Sequence, residues 1–406
     1  MDKIARAAAR DGSFDAAAAS LADLAEVTIS GRQVGRIAHE VGEQLRHDRD
    51  QRVEEFQSKR AKPESPVAPR SAVVEIDGGR STPNPFRGAR PGSRHPRPGV
   101  ARGQGRRPAH DEHQSHHQGP HPDLPRCFTK KREVVELVQE ISGQGALADV
   151  VEAGADEPPA LTVFEPAEAG KAPEPLWPPE LLVRTCVATL GSSEEFGPMV
   201  AAKAHRRNFV AAQSRVFLGD GGAWIWALQR TLFPTFEPVV DLVHVLAHVY
   251  LAAKAFGGPA TAVWQRDLDW ATACWQGRVS TVLEPLTATL AEMPPPPEGQ
   301  EVKPTDPYEV IRLTIGYLTN NQPRMDYPRY RREGMPTCSG LVESLVKQFN
   351  RRVKGTEKFW YPTHAETILQ LRAVYLSDDE RLSKHMKSYP VSCFRRYETT
   401  KRRKAG

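Results

Sequence analysis

The sequence predicts an α/β fold interrupted by an all-helical insertion, and three observations carry that expectation. Short apolar runs of strand length, Ala72-Val-Val-Glu-Ile76, Leu181-Leu-Val-Arg-Thr-Cys-Val-Ala-Thr189 and Val216-Phe-Leu218, alternate with stretches of helical period. Two of these runs stop at an acid among glycines, Asp77-Gly-Gly and Gly219-Asp220-Gly-Gly222. From Thr261 to Leu290, and again from Asp306 to Leu318, the period is helical, with no strand between.

Length and composition bound the rest. At 406 residues with 39% hydrophobic content, the chain has material for two or three domains. No apolar stretch approaches the roughly 20 residues that span a bilayer, and Met1-Asp-Lys-Ile-Ala-Arg6 has no signal-peptide core behind it. Cys127, Cys186, Cys274, Cys338 and Cys393 are odd in number and without CxxC spacing, which suits a reducing cytoplasm and excludes zinc fingers. The net charge of +5 is modest but uneven. Arg324, Arg329, Arg331, Arg332, Lys347, Arg351, Arg352, Lys354 and Lys358 crowd one region, and Lys401-Arg-Arg-Lys404 closes the chain. Such clustering is the footprint of phosphate binding.

In chain order, Ser13 caps a first helix with Phe14, Ala17, Leu21 and Leu24 on one face. Ser30 and Gln33 form a capping box for a second, with Ile29 and Val34 as a hydrophobic staple and Val34, Ile37, Val41 and Leu45 as its apolar stripe. Arg32, Gln33 and Arg36 face outward on its first turns. The pair reads equally as a helix-turn-helix or as a helical hairpin packed on the rest of the chain. Residues 62–71 are a proline-bearing linker to the strand at 72–76. Ser81 to Pro120 is dominated by Pro, Gly, Arg and His, and no strand is expected there; its histidines, His110 to His121, read as a disordered basic tract rather than a metal site. A helix follows near Arg132 to Ile141, then an acidic, proline-rich loop from Glu152 to Glu180. Beyond the strand at 181–189, Ser192 and Glu195 make a second capping box, opening a helix that leads into the strand ending at Asp220. Thr235 to His248 reads as a brief strand passing into a helix that carries Asp241, His244 and His248. His244 and His248 lack the glutamate of a zinc protease motif between them, so a histidine orienting a neighbouring acid is the better reading.

An aspartate at the end of a strand is by itself a turn residue; in company it is a candidate ligand. The third acid is Glu343, on a helix with Leu341, Leu345 and Phe349 on one face and Glu343, Lys347, Asn350 and Lys354 on another. Three carboxylates brought together repel unless a divalent cation supplies the missing charge, and oxygen ligands select Mg²⁺ or Mn²⁺. Asp77, Asp220 and Glu343, if they converge, hold two ions roughly 4 Å apart, one activating a water or 3′-hydroxyl and one stabilising the leaving oxygen of a phosphodiester. Lys347 one turn after Glu343 suits a phosphate contact.

These stretches resemble DDE transposases of bacterial insertion sequences, of the Mutator-like kind with a ribonuclease H-like core. The resemblance covers most of the chain outside Ser81 to Pro120. It is most specific at Phe217-Leu-Gly-Asp220-Gly-Gly-Ala-Trp-Ile-Trp226, at Asp241-Leu-Val-His244, at Asn320 to Arg332 and at Ser339 to Trp360. It implies metal-dependent DNA nicking and strand transfer at the ends of the element, with Asp77, Asp220 and Glu343 as catalytic ligands of two Mg²⁺ or Mn²⁺ ions. Asp241 and His244 fit its C/D-x-x-H signature and would shape the site. Arg32, Gln33, Arg36, Lys347, Arg351, Arg352 and Lys354 would hold DNA. The implied organisation is a DNA-binding region at 1–61, a core at 72–250 and 321–386, a helical insertion at 251–320 and a basic tail at 387–406. A cytoplasmic, nucleoid-associated protein that oligomerises when two DNA ends are brought together is implied too. The sequence departs from the pattern where a second, antiparallel strand belongs, at 81–120; the composition there fits text read out of frame between two compensating shifts, which would leave the sheet incomplete and the copy inactive.

Overall fold

A computed structural model describes residues 1–76, 97–105, 121–142, 180–297, 302–338, 348–349, 352 and 360–388. Three helices open the chain: α1 (Asp2–Arg10), α2 (Phe14–Ala25) and α3 (Gly31–Gln57). Ser13 accepts from Ala16 N at the start of α2, and Ser30 and Gln33 close the expected capping box on α3, each satisfying a backbone N–H that a helix end would otherwise leave unpaired. Ala17, Leu21, Val34, Ile37, Val41 and Leu45 are buried as their spacing predicts. Leu24 is not: it is 78% exposed, because the packed stripe runs at i, i+4 spacing from Ala17 through Leu21 to Ala25 and leaves Leu24 off that face.

One sheet follows, built from β1 (Ser71–Ile76), β2 (Arg97–Gly105), β3 (Glu180–Thr189), β4 (Ser214–Gly219) and β5 (Glu237–Val240), in the order β3-β2-β1-β4-β5. β2 is antiparallel to both β1 and β3, whereas β4 is parallel to β1 and β5 parallel to β4. β2 corrects the expectation that no strand lies between 81 and 120. A ladder is made by backbone N–H and C=O groups, so a segment with few apolar residues still pairs when strands on both sides present free edges. The strand is nevertheless weak on physical grounds, since Pro98 brings no donor and Gly99, Gly103 and Gly105 bring no side chain. Its register with β3 also shifts between Gly103 and Gln104.

The remaining helices are α4 (Lys131–Ser142), α5 (Ser193–Arg206), α6 (Ala223–Leu232), α7 (Leu242–Ala255), α8 (Ala260–Trp275), α9 (Ser280–Glu292), α10 (Pro307–Asn321), α11 (Tyr327–Arg332), α12 (Pro362–Tyr375) and α13 (Arg381–Ser388). The chain is thus mixed α/β, with a purely helical block between β5 and α11 among the described residues. None of the described helices is long and apolar enough to cross a membrane. β1 is buried at all six positions, as a strand covered on both faces must be. Val73, Val74, Val216, Phe217, Leu218 and Val239 share one cluster with Phe196 and Val200 of α5 and Leu242, Val245 and Val249 of α7. A second cluster joins the chain's two ends, with Ile4, Leu21, Val34, Ile37 and Val41 packed against Ile368, Leu371 and Val374 of α12. The closeness of α3 to α12 depends on Gly42, where a Cβ would come within 2.3 Å of Thr367 O.

A knot of charge ties α5, β3 and the turn into α13. Lys203 Nζ donates to Asp379 Oδ2 at 2.9 Å, Arg381 Nε lies 2.8 Å from the same oxygen, and Arg381 also donates to Cys186 O of β3. The two partners of the first bond shift in different senses. Burial pushes the Asp379 carboxyl up, but Arg381 and Lys203 outweigh it and hold the group below its ordinary value. Burial, then the Arg381 charge, pushes the Lys203 ammonium down to about 7 against the pull of Asp379. One anion serves two cations, so the carboxylate is well compensated and the lysine is not. Between about 7 and the ordinary 10.5 the unfolded chain holds a proton on Lys203 that the folded chain has released, so stability rises with pH across that window. Lys203→Met is therefore expected to equal or exceed the wild type in stability below pH 7, by about 1 kcal/mol, with the advantage shrinking as pH rises. Asp379→Ala strands both cations and is expected to cost about 3 kcal/mol. Urea unfolding at several pH values tests both, and equal losses in the two variants would contradict the assignment.

Candidate active site

Parallel strands that end level with one another present their following residues along one edge of the sheet, the edge where ligands bind in open α/β sheets. Ile76 at the end of β1 is paired with Gly219 at the end of β4, and Gly219 with Val240 at the end of β5. Each of these residues is followed by an aspartate, Asp77, Asp220 and Asp241 respectively. Asp220 and Asp241 are described; Asp77 lies outside the described residues, as do Glu343, Lys347, Arg351 and Lys354.

Asp220 opens a tight turn into α6. Its Oδ1 accepts from Gly222 N at 2.8 Å, the side-chain-to-backbone bond by which aspartates fix turns. Gly221 holds φ at 97°, and a Cβ there would come within 2.5 Å of Tyr317 Cε2 and 2.9 Å of Asn321 Nδ2. The turn is therefore built against α10. Tyr317 donates its hydroxyl to Asp220 O at 2.9 Å, and Asn321 donates through Nδ2 to Gly221 O at 3.4 Å. Trp226 of α6 donates its indole N–H to Asn321 Oδ1 at 2.8 Å. Burial, and next the Asp220 charge, raise the Tyr317 hydroxyl well above its ordinary pKa, so it stays a neutral donor.

Asp241 is 1% exposed and is the N-cap of α7. Its Oδ1 accepts from Val243 N at 3.1 Å, and Oδ2 lies 3.2 Å from His244 Nδ1. An ionised carboxylate only accepts, so in this contact the ring donates through Nδ1. His244 therefore lies against a neighbouring acid, the kind of partner the sequence led one to expect for a histidine orienting an acid. Asp241 thus caps α7 and also holds the His244 ring. His248, one turn on, stacks on Tyr317 with ring centroids 3.9 Å apart. The segment leading towards Glu343 starts at the same edge: Thr337 O accepts from Leu242 N at 2.9 Å, directly after Asp241.

Asp220 offers carboxylate oxygen at the sheet edge, the donor type that hard divalent cations take. Among the described residues no group of three His, Cys, Asp or Glu gathers to hold an ion; two of the three expected ligands lie outside them.

The expected DNA contacts divide. Arg32, Gln33 and Arg36 are exposed on the first turns of α3, although Gln33 Oε1 is engaged by Ser30 N. Arg352 is a correction: it is 2% exposed and donates to Ala8 O and Gly12 O, with its guanidinium 4.6 Å from the Phe14 ring centroid. A cation at the carbonyl end of α1 satisfies groups the helix cannot, and that use competes with any phosphate. Arg331 is likewise buried, donating to Trp275 O at 2.7 Å over the Trp275 ring, and Arg329 pairs with Glu237. Part of the basic crowding is thus internal structure. Sequence reasoning missed Tyr317 and Asn321; their i, i+4 spacing on one helix face, just ahead of Gln322-Pro-Arg324, was the available signal.

No family model, no curated protein and no solved structure matches this chain.

Gly221→Ala is expected to destabilise the fold by about 2 kcal/mol, through the positive φ and the clash with Tyr317. Gly316→Ala, in the middle of α10 with nothing within 4 Å of the new methyl, is expected to stabilise by about 0.7 kcal/mol. Paired thermal melts test this; a tolerated Gly221→Ala would mean that the turn does not depend on α10.

Proposed function

We propose that this chain is a DDE transposase, cutting DNA at the ends of its element and joining the freed 3′-hydroxyl to target DNA. The observation that carries the reading is the common rung Ile76, Gly219 and Val240, on which three parallel strands end, each before an aspartate. The sheet order β3-β2-β1-β4-β5, with only β2 reversed against β1, is also the order expected of a ribonuclease H-like core. Support comes further from the helical block between β5 and the Glu343 segment, and from Thr337, which starts that segment beside Asp241.

Asp220 and Asp77 would hold Mg²⁺ or Mn²⁺, with Glu343 completing the set. Bound there, the metal supplies Lewis acidity to the phosphodiester and lowers the pKa of the attacking water or hydroxyl. The chain's own residues do the rest. The Asp220 turn keeps its carboxylate at the strand end, and His244, held by Asp241, would shape the site beside it. Arg32 and Arg36 offer exposed charge to DNA phosphates, as would Lys347, Arg351 and Lys354.

A second reading, a DNA-binding protein that has lost catalysis, is favoured by one observation: the weak composition of β2, next to the strand that leads to Asp77. The two readings part on metal dependence. DNA carrying the element's ends is expected to be nicked with Mg²⁺ or Mn²⁺ and to stay intact with Asp220→Asn, a loss of at least about 100-fold. Salt-sensitive binding without nicking by either protein would sink the transposase reading and leave the binding one.

A further inference from the structure

We infer that α10, the last helix of the helical block, clamps the Asp220 turn, and that Tyr317 and Asn321 are positioning residues for the acid. The inference rests on the transposase reading for its consequence in catalysis, but the clamp itself stands on geometry.

Two side chains one helical turn apart reach two successive carbonyls of the turn, Tyr317 to Asp220 O at 2.9 Å and Asn321 to Gly221 O at 3.4 Å. Both bond the backbone rather than the carboxylate. The helix therefore fixes where Asp220 starts from without consuming an oxygen that a metal needs. The far side of the turn is held as well. Trp226 donates to Asn321 Oδ1, which orients the amide so that Nδ2 faces Gly221 O and Tyr317 O. Arg324, just beyond α10, lies over the Trp226 ring at 4.6 Å. The turn has no slack against this helix, since Gly221 is the residue type that its φ and the nearness of Tyr317 both require.

The clamp also spans two strand ends. Tyr317 stacks on His248 of α7, the helix that Asp241 caps and that carries His244. One helix thus touches the turn after β4 and the helix after β5. The helical block is then part of the site's support: a displacement of α10 carries the Asp220 carbonyl with it, and outer partners of metal ligands typically tune metal affinity about 10- to 100-fold.

Tyr317→Phe tests this with least disturbance, because it keeps the ring that stacks on His248 and packs on Gly221 and removes only the hydroxyl. Tyr308→Phe, on the first turn of the same helix, is the control. Hydrogen exchange in peptides covering Gly219 to Trp226 is expected to quicken about tenfold in Tyr317→Phe, with peptides of α3 and α12 unchanged. Tyr308→Phe is expected to match the wild type throughout. The Mn²⁺ concentration for half-maximal nicking, or for half-maximal Mn²⁺ binding read by electron paramagnetic resonance, is expected to rise about tenfold, with less than about a threefold fall in turnover at saturating Mn²⁺. Unchanged exchange at the turn overturns the clamp. Faster exchange with unaltered Mn²⁺ dependence overturns the positioning role. A wild type that binds Mn²⁺ without nicking contradicts the transposase reading alone, since exchange and Mn²⁺ binding read the clamp without it.

Discussion

The parallel register of β1, β4 and β5 is the constraint from which the site is built. Backbone hydrogen bonds fix that register, and a slip of one residue would send every side chain of a strand to the opposite face. β1 is buried at all six positions, so such a slip would put Glu75 where a valine packs. Burial therefore defends the register, and the register decides that the chain leaves β4 and β5 at one level. Asp220 and Asp241 stand side by side because Gly219 and Val240 are paired, and Asp241 N donates to Gly219 O at 2.8 Å across that join.

Around that edge the chain spends buried polar groups on holding turns and helix ends. Tyr317 and Asn321 bond the turn after β4, Tyr327 donates to Val240 O at the end of β5, and Asp241 caps α7. At the opposite end of the chain's path, Arg352 and Arg372 serve the last carbonyls of α1, which fastens the amino-terminal helices to α12. Guanidinium groups suit this work, since they stay charged and offer several donors in one plane. The outcome is an amino-terminal region that shares its core with residues 362–388 while keeping Arg32 and Arg36 exposed.

What was legible in the sequence was local. Both capping boxes, the strand ending at Asp220, the strand passing into the Asp241 helix and the helical block all follow from patterns within a few residues, where side-chain preference and structure agree. β2 was not legible, because Arg97-Pro-Gly-Val-Ala-Arg-Gly-Gln-Gly105 carries no strand pattern and is held by its neighbours' backbone. Arg352 and Arg331 were misread because charge counted along a sequence does not say whether a guanidinium meets solvent or a carbonyl. Tyr317 and Asn321 were invisible as site residues, since their partners lie about a hundred positions away. The pairing of His244 with Asp241 was readable, being a contact between neighbours on one helix turn.

The central claim is that the ends of β1 and β4 form one metal site, and Mn²⁺ binding to the intact chain measures it most directly. Wild type, Asp77→Asn, Asp220→Asn and the double variant would be titrated and bound Mn²⁺ followed by electron paramagnetic resonance. The account predicts that either single change weakens binding at least about tenfold and that the double variant loses little more, because the two carboxylates serve one site. Independent, additive losses, or binding that survives in the double variant, would contradict it.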